Sequence, residues 1–335
     1  MIPSYSIDIF PRLFHFKKPA GTSRGVYTER RSWYVRVASA ACPGREGWGE
    51  CAPLPQLSVD DLPDYEGVLR GICAEVARTG QVDTERWREY PSMLFGLETA
   101  LRHLERGTYA LWDTPFSRGE EGICINGLIW MGDHDAMYRQ IREKLEAGFR
   151  CVKLKIGAIG FEEELDLLRF IRRHFPAREV ELRVDANGAF APAEALDKLK
   201  RLAELDLHSI EQPIRAGQWD EMAGLTSVSP LPIAFDEELI GHCSLEAKRR
   251  LLDALHPQYI VLKPSLHGGF SGCREWIEEA EKRNVGWWIT SALESNVGLN
   301  AIAQWCATWH TRMPQGLGTG MLFTDNVPMP LEIRK

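Results

Sequence analysis

Long apolar runs are missing from this chain of 335 residues, and so is the start of a secretion signal. A membrane-spanning helix needs about 20 mostly apolar residues, and no segment reaches that length. The N-terminus, MIPSYSIDIFPRLF, has no basic region followed by a long apolar core, which is how a secretion signal begins. We therefore expect a cytoplasmic protein without a membrane partner.

Excess positive charge and closely spaced cysteines are missing too. The formal net charge is -7, which argues against nucleic acid as a partner, because proteins that bind it carry basic patches. The eight cysteines are scattered without a CxxC motif or the spacing of a zinc site, and most stand in apolar runs. We expect them to be reduced core residues. The composition does not fix the oligomeric state.

A charged residue ends a short apolar run in five separate segments. These segments are CVKLKIG (Lys153, Lys155), LRVDANG (Asp185), HSIEQP (Glu211), IAFDEE (Asp236) and IVLKPS (Lys263). The last four charges follow one another at intervals of 25 to 27 residues, which is the length of one strand-plus-helix unit. Because the carboxyl ends of parallel barrel strands meet at one face, we expect these charges to converge there.

The predicted fold class is α/β, with a (β/α)7β TIM-like barrel and an α+β capping domain. Strand-like runs alternate with amphipathic helical stretches from about residue 123, and GLGTGMLFTDN can supply a short eighth strand. We expect the cap to comprise residues 1–95, with 320–335 returning to it, and the barrel to comprise 96–319. Two Gly- and Pro-rich loops, 17–27 and 49–58, should close over the barrel.

Three carboxylates form the candidate metal site. Asp185, Glu211 and Asp236 should lie on three adjacent strands, and such oxygen ligands favour Mg2+, with Mn2+ as a substitute. Any one of them could simply cap the following helix, but three at one-unit spacing favour a shared ion. Glu237 and Glu238 compete with Asp236; strand alternation pairs Asp236 with the small Ala234 on the inner face.

Three lysines form the candidate acid–base set. Lys153 and Lys155 alternate with apolar residues and should point into the barrel, where two neighbouring cations lower each other's proton affinity. Lys155, nearer the mouth, is the better base. Lys263 lies across the mouth and could be a second acid or base, a stabilising charge, or only a salt-bridge partner. A metal beside lysines resembles the arrangement of enzymes that remove a proton alpha to a carboxylate, and this resemblance implies a small-molecule carboxylate substrate.

These motifs resemble the enolase superfamily, and in particular its muconate lactonizing enzyme-like subgroup, which has KxK on the second strand and a lysine on the sixth. The resemblance spans nearly the whole chain. It implies that Asp185, Glu211 and Asp236 bind Mg2+, that Lys155 is the acid/base, and that Lys263 acts on the opposite face.

Within that subgroup, INGLIW, ITSALESNVGL and GLGTGMLFTDN resemble the o-succinylbenzoate synthase family. This implies a lyase for menaquinone biosynthesis: a syn dehydration of 2-succinyl-6-hydroxy-2,4-cyclohexadiene-1-carboxylate through an enediolate. An N-acylamino acid racemase or dipeptide epimerase on the same scaffold is the alternative, although the DxD pair typical of dipeptide epimerases is absent from the last barrel segment. A non-catalytic binding barrel is the third reading.

A further set of residues should support the site. Asn187 and Arg183 should orient metal ligands or lysines, with a simple salt bridge as the alternative for them. Ser291 and Thr290 should bind the succinyl carboxylate, although a serine after a strand is often only a helix cap. Asn126 with Gly127 should place backbone amides near the ligand, with turn formation as an equal alternative. We interpret His267 as incidental.

Overall fold

The structure is a computed structural model that describes residues 5–22 and 25–334. Its N-terminal part is an antiparallel sheet of three strands in sequence order: β1 (Tyr5–Thr22), β2 (Gly25–Ser39) and β3 (Glu46–Cys51). Helices α1 (Tyr65–Thr79) and α2 (Pro91–Arg106) cover one face of it. The fully buried residues shared by this sheet and the two helices include Val35, Val37, Cys51, Leu69, Ile72, Met93, Leu97 and Ala100. This is the predicted α+β cap.

The prediction of a loop over 17–27 was wrong for most of that segment. Strands β1 and β2 continue through it as one long hairpin, with Ala20 paired to Tyr27 and Gly21 to Val26. A register shift lies between His15 and Ala20, as a β-bulge produces. Residues 23–24 lie outside the described residues. The glycines misled the prediction because a hairpin end also uses them, and cross-strand pairing is not visible in local composition.

The second sheet has seven parallel strands that are adjacent in sequence order. They are β4 (Gly127–Ile129), β5 (Cys151–Lys155), β6 (Glu181–Asp185), β7 (Ser209–Glu211), β8 (Ile233–Phe235), β9 (Tyr259–Leu262) and β10 (Gly286–Ile289). Between its two edges lies a two-residue segment: Gln315 bridges to Ile125 and Gly316 bridges to Thr290, both in parallel. The Gln315 N–H donates to the Cys124 carbonyl at 2.9 Å, and the Gly316 N–H donates to the Ile289 carbonyl at 2.8 Å. The segment closes the barrel, so the predicted (β/α)7β fold is confirmed.

Seven helices follow the seven strands and form the outer layer. They are α3 (His134–Glu146), α4 (Phe161–His174), α5 (Pro192–Ala203), α6 (Trp219–Val228), α7 (Leu245–Leu255), α8 (Gly269–Glu281) and α9 (Asn296–Cys306). Local sequence sets their ends: Asp133 caps α3 by accepting from the Ala136 N–H at 2.7 Å, and Ser244 caps α7. Their apolar faces pack on outward-facing strand residues such as Val152, Leu154 and Val184. Charged strand residues are thereby left to the barrel interior.

The C-terminal tail returns to the cap. Phe323 bridges to Phe16, and the Lys17 N–H donates to the Leu322 carbonyl at 2.8 Å. The expected boundary at residue 95 falls inside helix α2, which packs Leu97 against the cap core and Phe95 against the barrel core. The division into two domains therefore stays a prediction. Within the described ranges, no helix is both long and apolar enough to cross a membrane.

Candidate active site

Strand register brings the predicted charges to one rim of the barrel. Lys155 lies opposite Asp185 in the pairing of β5 with β6, and Asp185 lies opposite Glu211 in the pairing of β6 with β7. Glu211 in turn faces Ala234, so Asp236 follows two positions later on the same side. The recurring charges therefore meet because each stands at or near the carboxyl end of its strand.

Each of the three lysines contacts a carboxylate. Lys153 Nζ donates to Glu211 Oε2 at 2.7 Å and to Asp185 Oδ2 at 3.1 Å. Lys155 Nζ donates to the same Asp185 oxygen at 3.1 Å, and Lys263 Nζ pairs with Asp236 Oδ2 at 2.5 Å. The carboxylates are almost fully buried, and unpaired charges there would cost several kcal/mol each. Mutual pairing makes this concentration of charge tolerable.

The pairing shifts proton affinities in opposite directions. Burial alone would raise the pKa of Asp185, but the ammonium groups of Lys155 and Lys153 hold it well below its usual range. Burial would lower the pKa of Lys153, but the carboxylates of Glu211 and Asp185 outweigh burial and raise it. The same balance, with Asp236 as the main partner, raises the pKa of Lys263. The expectation of mutually depressed lysines was therefore wrong for Lys153, because carboxylates surround it.

The three carboxylates are ligands of the type that binds a divalent cation, although their oxygens are not grouped around one point in the described structure. Among residues 5–22 and 25–334, no three His, Cys, Asp or Glu side chains are grouped closely enough to hold a metal. Lysine ammonium groups instead bridge the carboxylates. Asp236 Oδ1 is nevertheless buried without a hydrogen-bond partner in the described structure, and burial with the nearby Asp185 carboxylate raises the pKa of Glu211 to about 8. Both features indicate a shortage of positive charge that Mg2+ fits.

A cavity of about 90 Å³ lies over the charged rim. Its polar floor and wall include Lys153, Lys155, Asp185, Asn187, Glu211, Lys263, Asn126, Thr290 and Ser291. Its apolar part includes Tyr27, Leu54 and Leu57 from the cap, with Trp130, Ala292 and Leu293 from the barrel. Sequence reasoning missed Thr319, Glu237 and Trp130 as lining residues, whereas Tyr27 ends the segment 17–27 that was predicted to close over the barrel. The predicted lid loop 49–58 was the available signal for the two cap leucines.

Asn187 contacts three members of the site. Its Oδ1 accepts from Lys155 Nζ at 2.7 Å, its Nδ2 donates to Glu237 Oε1 at 3.0 Å, and its backbone N–H donates to Asp185 Oδ1 at 3.0 Å. The residue has a φ of 44°, in the left-handed region that asparagine tolerates better than most residues. Asn187 therefore sits where it can orient both a lysine and a carboxylate.

The other candidate polar residues are only partly available to a ligand. Ser291 Oγ lies 2.6 Å from Thr319 Oγ1, and Thr290 Oγ1 donates to the Gly316 carbonyl at 2.8 Å. The Asn126 N–H donates to the Gln315 carbonyl at 3.0 Å, so its backbone closes the barrel while its side chain lines the cavity. Besides Asn187, the neutral polar residues of the cavity lining are therefore Asn126, Thr290, Ser291 and Thr319.

Arg183 and Gly127 do not line the cavity, and for Arg183 the structure shows the simple salt bridge that was the alternative. Arg183 donates to Glu181 at 2.7 Å and to the Pro314 carbonyl at 3.0 Å, and it lies 4.4 Å over the Trp288 ring. It shares strand parity with Asp185 but lies one step nearer the opposite end of the barrel. A Cβ on Gly127 would meet Phe149 at 3.1 Å, so this glycine serves close helix packing.

His267 is not incidental. Its ring Nδ1 accepts the backbone N–H of Lys263 at 3.0 Å, and the backbone N–H of His267 donates to the Lys263 carbonyl at 3.0 Å. Burial lowers the pKa of His267 to about 3, so the ring is neutral and carries its proton on Nε2. The ring thus fixes the main chain from which a site lysine projects. Nothing in the sequence showed this partner, because it is a backbone group.

Two family models and many known proteins match this chain. The model of the family "Enolase C-terminal domain-like" matches residues 136–334, and that of "MenC, N-terminal domain" matches residues 22–104. The o-succinylbenzoate synthase of Desulfotalea psychrophila is 48% identical to this chain, over 95% of the chain and 94% of that protein.

Solved structures give the same result. The crystal structure of MenC from Desulfotalea psychrophila LSv54 has a TM-score of 0.83 and 42% identity, and the match covers 99% of this chain and 98% of that one. The o-succinylbenzoate synthase of Thermosynechococcus elongatus BP-1, complexed with Mg in its active site, has a TM-score of 0.77 and 23% identity. That match covers 97% of this chain and 96% of the other, and at this identity it supports the fold.

Proposed function

The chain belongs to the o-succinylbenzoate synthase family of the enolase superfamily, and from this we propose that it dehydrates 2-succinyl-6-hydroxy-2,4-cyclohexadiene-1-carboxylate to o-succinylbenzoate. In menaquinone biosynthesis this step forms the aromatic ring. One observation of the site carries the proposal: Lys155 and Lys263 enter one cavity from different strands, each beside a carboxylate of the three-acid set. That arrangement suits removal of a proton alpha to a carboxylate.

Lys155 is the proposed acid and base. It lines the cavity, and Asp185 and Asn187 fix the position of its Nζ. As the neutral amine it would take the proton alpha to the ring carboxylate and then return that proton to the leaving hydroxyl. The C–H and C–O bonds break, a ring double bond forms, and water leaves. General acid–base help of this kind contributes about 10²- to 10⁴-fold.

Lys263 is the proposed stabilising charge. Burial would lower its pKa, but the Asp236 carboxylate raises it, so Lys263 stays protonated at neutral pH. A protonated amine cannot act as a base, but it can stabilise negative charge that develops on the substrate. A syn elimination needs one base on one face, which leaves this role for Lys263. Lys153, held by Glu211 and Asp185, would keep those carboxylates in place.

Asp185, Glu211 and Asp236 are the proposed Mg2+ ligands, and Mn2+ could replace Mg2+. When bound, the metal would supply positive charge beside the substrate carboxylate. These carboxylates now pair with lysine ammonium groups, and those ion pairs would be redistributed if the carboxylates held the cation. Asn187 is the proposed support of Lys155 and Asp185 during this exchange.

Ser291 and Thr290 are the proposed partners of the succinyl carboxylate, and Asn126 would place its amide near the ligand. Ser291 and Thr319 share a hydrogen bond of 2.6 Å at the cavity wall, which leaves one hydroxyl donor of the pair for a carboxylate. Leu54 and Leu57 of the cap would cover the ring and exclude water.

A single absorbance assay tests the proposed reaction. Purified protein is mixed with the cyclohexadiene substrate and Mg2+, and the aromatic product is followed in the ultraviolet. We expect turnover that stops with a chelator and returns with added Mg2+. A parallel panel of N-succinylamino acids and dipeptides, followed by polarimetry, tests the racemase and epimerase alternative. Activity on that panel alone would replace the proposed reaction, and inactivity on both would favour a binding barrel.

A further inference from the structure

Leu293 combines an unusual backbone conformation with a place in the cavity wall. Its φ is 63°, in the left-handed region that a branched side chain rarely adopts, and it lines the cavity. Such a conformation costs on the order of 1–3 kcal/mol and persists only where the surroundings enforce it. The neighbouring contacts therefore have to supply that constraint.

Two buried charged side chains hold the preceding residue, Ala292. Glu294 Oε2 accepts the Ala292 N–H at 2.7 Å, and Arg30 Nη1 donates to the Ala292 carbonyl at 2.7 Å. Glu294 is further fixed by a hydrogen bond from Ser265. Both main-chain polar groups before Leu293 are thus occupied, which fixes the peptide planes that set its conformation.

Arg30 reaches the opposite cavity wall with its other terminal nitrogen. Nη2 donates to the Ala52 carbonyl at 2.6 Å, two residues before Leu54, which lines the cavity from the cap. Arg30 belongs to β2, so one guanidinium joins the cap hairpin, the cap segment before Leu54 and the barrel segment before Leu293. Its planar fork suits two acceptors at a fixed spacing.

Stability alone is a poor reason for this arrangement. Arg30 is 1% exposed, and the carboxylates of Glu294 and Glu50 act on its charge without a direct ion pair in the described part of the chain. Removing a guanidinium from water costs several kcal/mol, and apolar side chains of similar volume often stabilise such a position better. Arg30 pairs with Phe14, a member of the apolar cluster that also contains Leu54 and Leu293, and this cluster would accept an apolar residue. The geometry that Arg30 imposes is what an apolar residue could not supply.

We propose that Arg30 is a positioning residue for substrate binding: it clamps the Ala292 and Ala52 carbonyls and thereby sets the distance between the two apolar cavity walls at Leu54 and Leu293. Arg30 touches neither the lysines nor the carboxylates of the charged rim. Its effect therefore falls on substrate binding more than on the chemical step. The kinetic test of this inference rests on the proposed dehydration. A second test, by amide hydrogen exchange, does not depend on it.

The test compares Arg30→Met, Arg30→Lys and, as a matched control on the same strand, the exposed Arg31→Met. We expect R30M to raise KM about tenfold with kcat within about threefold, because a fixed wall is lost while the charged rim is kept. R30K should recover part of the loss, since an ammonium can still reach one carbonyl. R31M should match the unsubstituted protein.

Amide hydrogen exchange supplies the second readout. Peptides covering 291–297 should exchange faster in R30M than in R31M, while peptides from β5 and β6 stay unchanged. If the unsubstituted enzyme is active, an unchanged KM in R30M overturns the clamp, whatever its thermal stability. If the unsubstituted enzyme does not dehydrate the substrate, the proposed function fails, and exchange decides the clamp: faster exchange supports it and unchanged exchange overturns it.

Discussion

The barrel mouth and the cap–barrel joint both bury charged side chains, but they use them differently. At the mouth (Lys153, Lys155, Lys263, Asp185, Glu211 and Asp236), charges of opposite sign contact each other directly. At the joint (Arg30, Glu50 and Glu98), charged side chains of the N-terminal part bond to main-chain groups of the barrel. The Glu50 carboxylate accepts the N–H groups of Ser295 at 2.9 Å and Gly298 at 3.0 Å, at the start of α9.

The charges at the mouth are therefore suited to chemistry, whereas the charges at the joint fix the position of the backbone. Ion pairs can be redistributed when a cation or substrate anion arrives, because every partner is a side chain that can move. A charge bonded to a main-chain group holds one piece of backbone against another, and it gains from the helix N-terminus where it caps one. Substitutions at the mouth can therefore reduce activity even where they keep the charge. Substitutions at the joint should act by removing a hydrogen-bond donor or acceptor of the main chain.

The largest effect is expected at Lys155. Lys155→Arg keeps the positive charge but removes the base, because a guanidinium does not lose its proton in proteins. We expect kcat to fall by about 10²- to 10⁴-fold. Lys263→Arg keeps the charge that we assign to this position and should lose only roughly tenfold, through altered geometry. The absorbance assay measures both.

Alanine substitutions at the same two lysines test the division of roles further. Lys155→Ala and Lys263→Ala should both abolish turnover, the first through loss of the base and the second through loss of charge. Thermal unfolding of all four variants controls for folding. Equal activity of K155R and K263R would contradict the division of roles, and so would exchange of the alpha proton with solvent by K155A.

The mouth could be predicted from the sequence, whereas the joint could not. Parallel strands repeat at a nearly constant chain spacing, and successive residues of a strand alternate between its two faces. The positions of Asp185, Glu211 and Lys263 could therefore be predicted from the local sequence pattern. Arg30 and Ala292 are 262 positions apart, and the acceptor is a carbonyl that every residue possesses. No local pattern distinguishes such a partner.

Errors within the predicted site have a similar cause. Parity places Arg183 and Asp185 on one face of β6 but does not say how deep each lies, and Arg183 binds the Pro314 carbonyl away from the rim. Gly127 was judged by its neighbours in sequence, whereas its role is set by Phe149 packing against it. Depth and close packing depend on tertiary structure, which period-two alternation does not encode.

A pH-dependent effect on stability is expected at Glu98. Its carboxylate accepts the N–H groups of Phe270 at 2.6 Å and Ser271 at 3.2 Å, so it caps α8 from helix α2. Burial raises the pKa of Glu98 from 4.5 to about 7. The folded state therefore binds this proton more tightly than the unfolded state. The resulting contribution to stability is complete below about pH 4.5 and is lost as the pH rises through 7.

Glu98→Gln removes that titration. The free energy of unfolding of the unsubstituted protein relative to E98Q should fall by at most roughly 3 kcal/mol between pH 4 and pH 8. The value is an upper bound, because a groove between α2 and α8 brings solvent close to Glu98. Urea unfolding across this range measures it, with the exposed Glu105→Gln on the same helix as the control. A difference that does not vary with pH would show that Glu98 does not titrate there.

A smaller loss of stability is expected when Glu50 is substituted. Besides the two N–H groups of α9, its carboxylate accepts from Ser32 Oγ at 2.7 Å and Ser295 Oγ at 2.5 Å. Glu50→Gln turns an amide NH2 toward these donors, which should lower the free energy of unfolding by about 2 kcal/mol. Glu46→Gln, on the same strand but exposed, should leave the urea midpoint unchanged. Equal midpoints for the two variants would mean that Glu50 does not hold the joint.

The smallest effect on activity is expected for substitutions of His267. Its buried ring accepts a hydrogen bond from the main chain, as at the joint, but that main chain belongs to Lys263 of the mouth. His267→Leu fills the space and removes the acceptor for the Lys263 N–H, whereas His267→Asn keeps an acceptor at the position of Nδ1. We expect H267L to lower kcat about three- to tenfold, because Lys263 is then less well fixed, and H267N to stay close to the unsubstituted enzyme. His267 Nε2 is buried without a partner in the described structure, and leaving such a donor unpaired costs about 1–3 kcal/mol. Asn brings its own amide N–H groups into this space, so thermal unfolding of both variants serves as the control for folding. Equal kcat losses in both variants would show that the ring, and not its acceptor, is what the site requires.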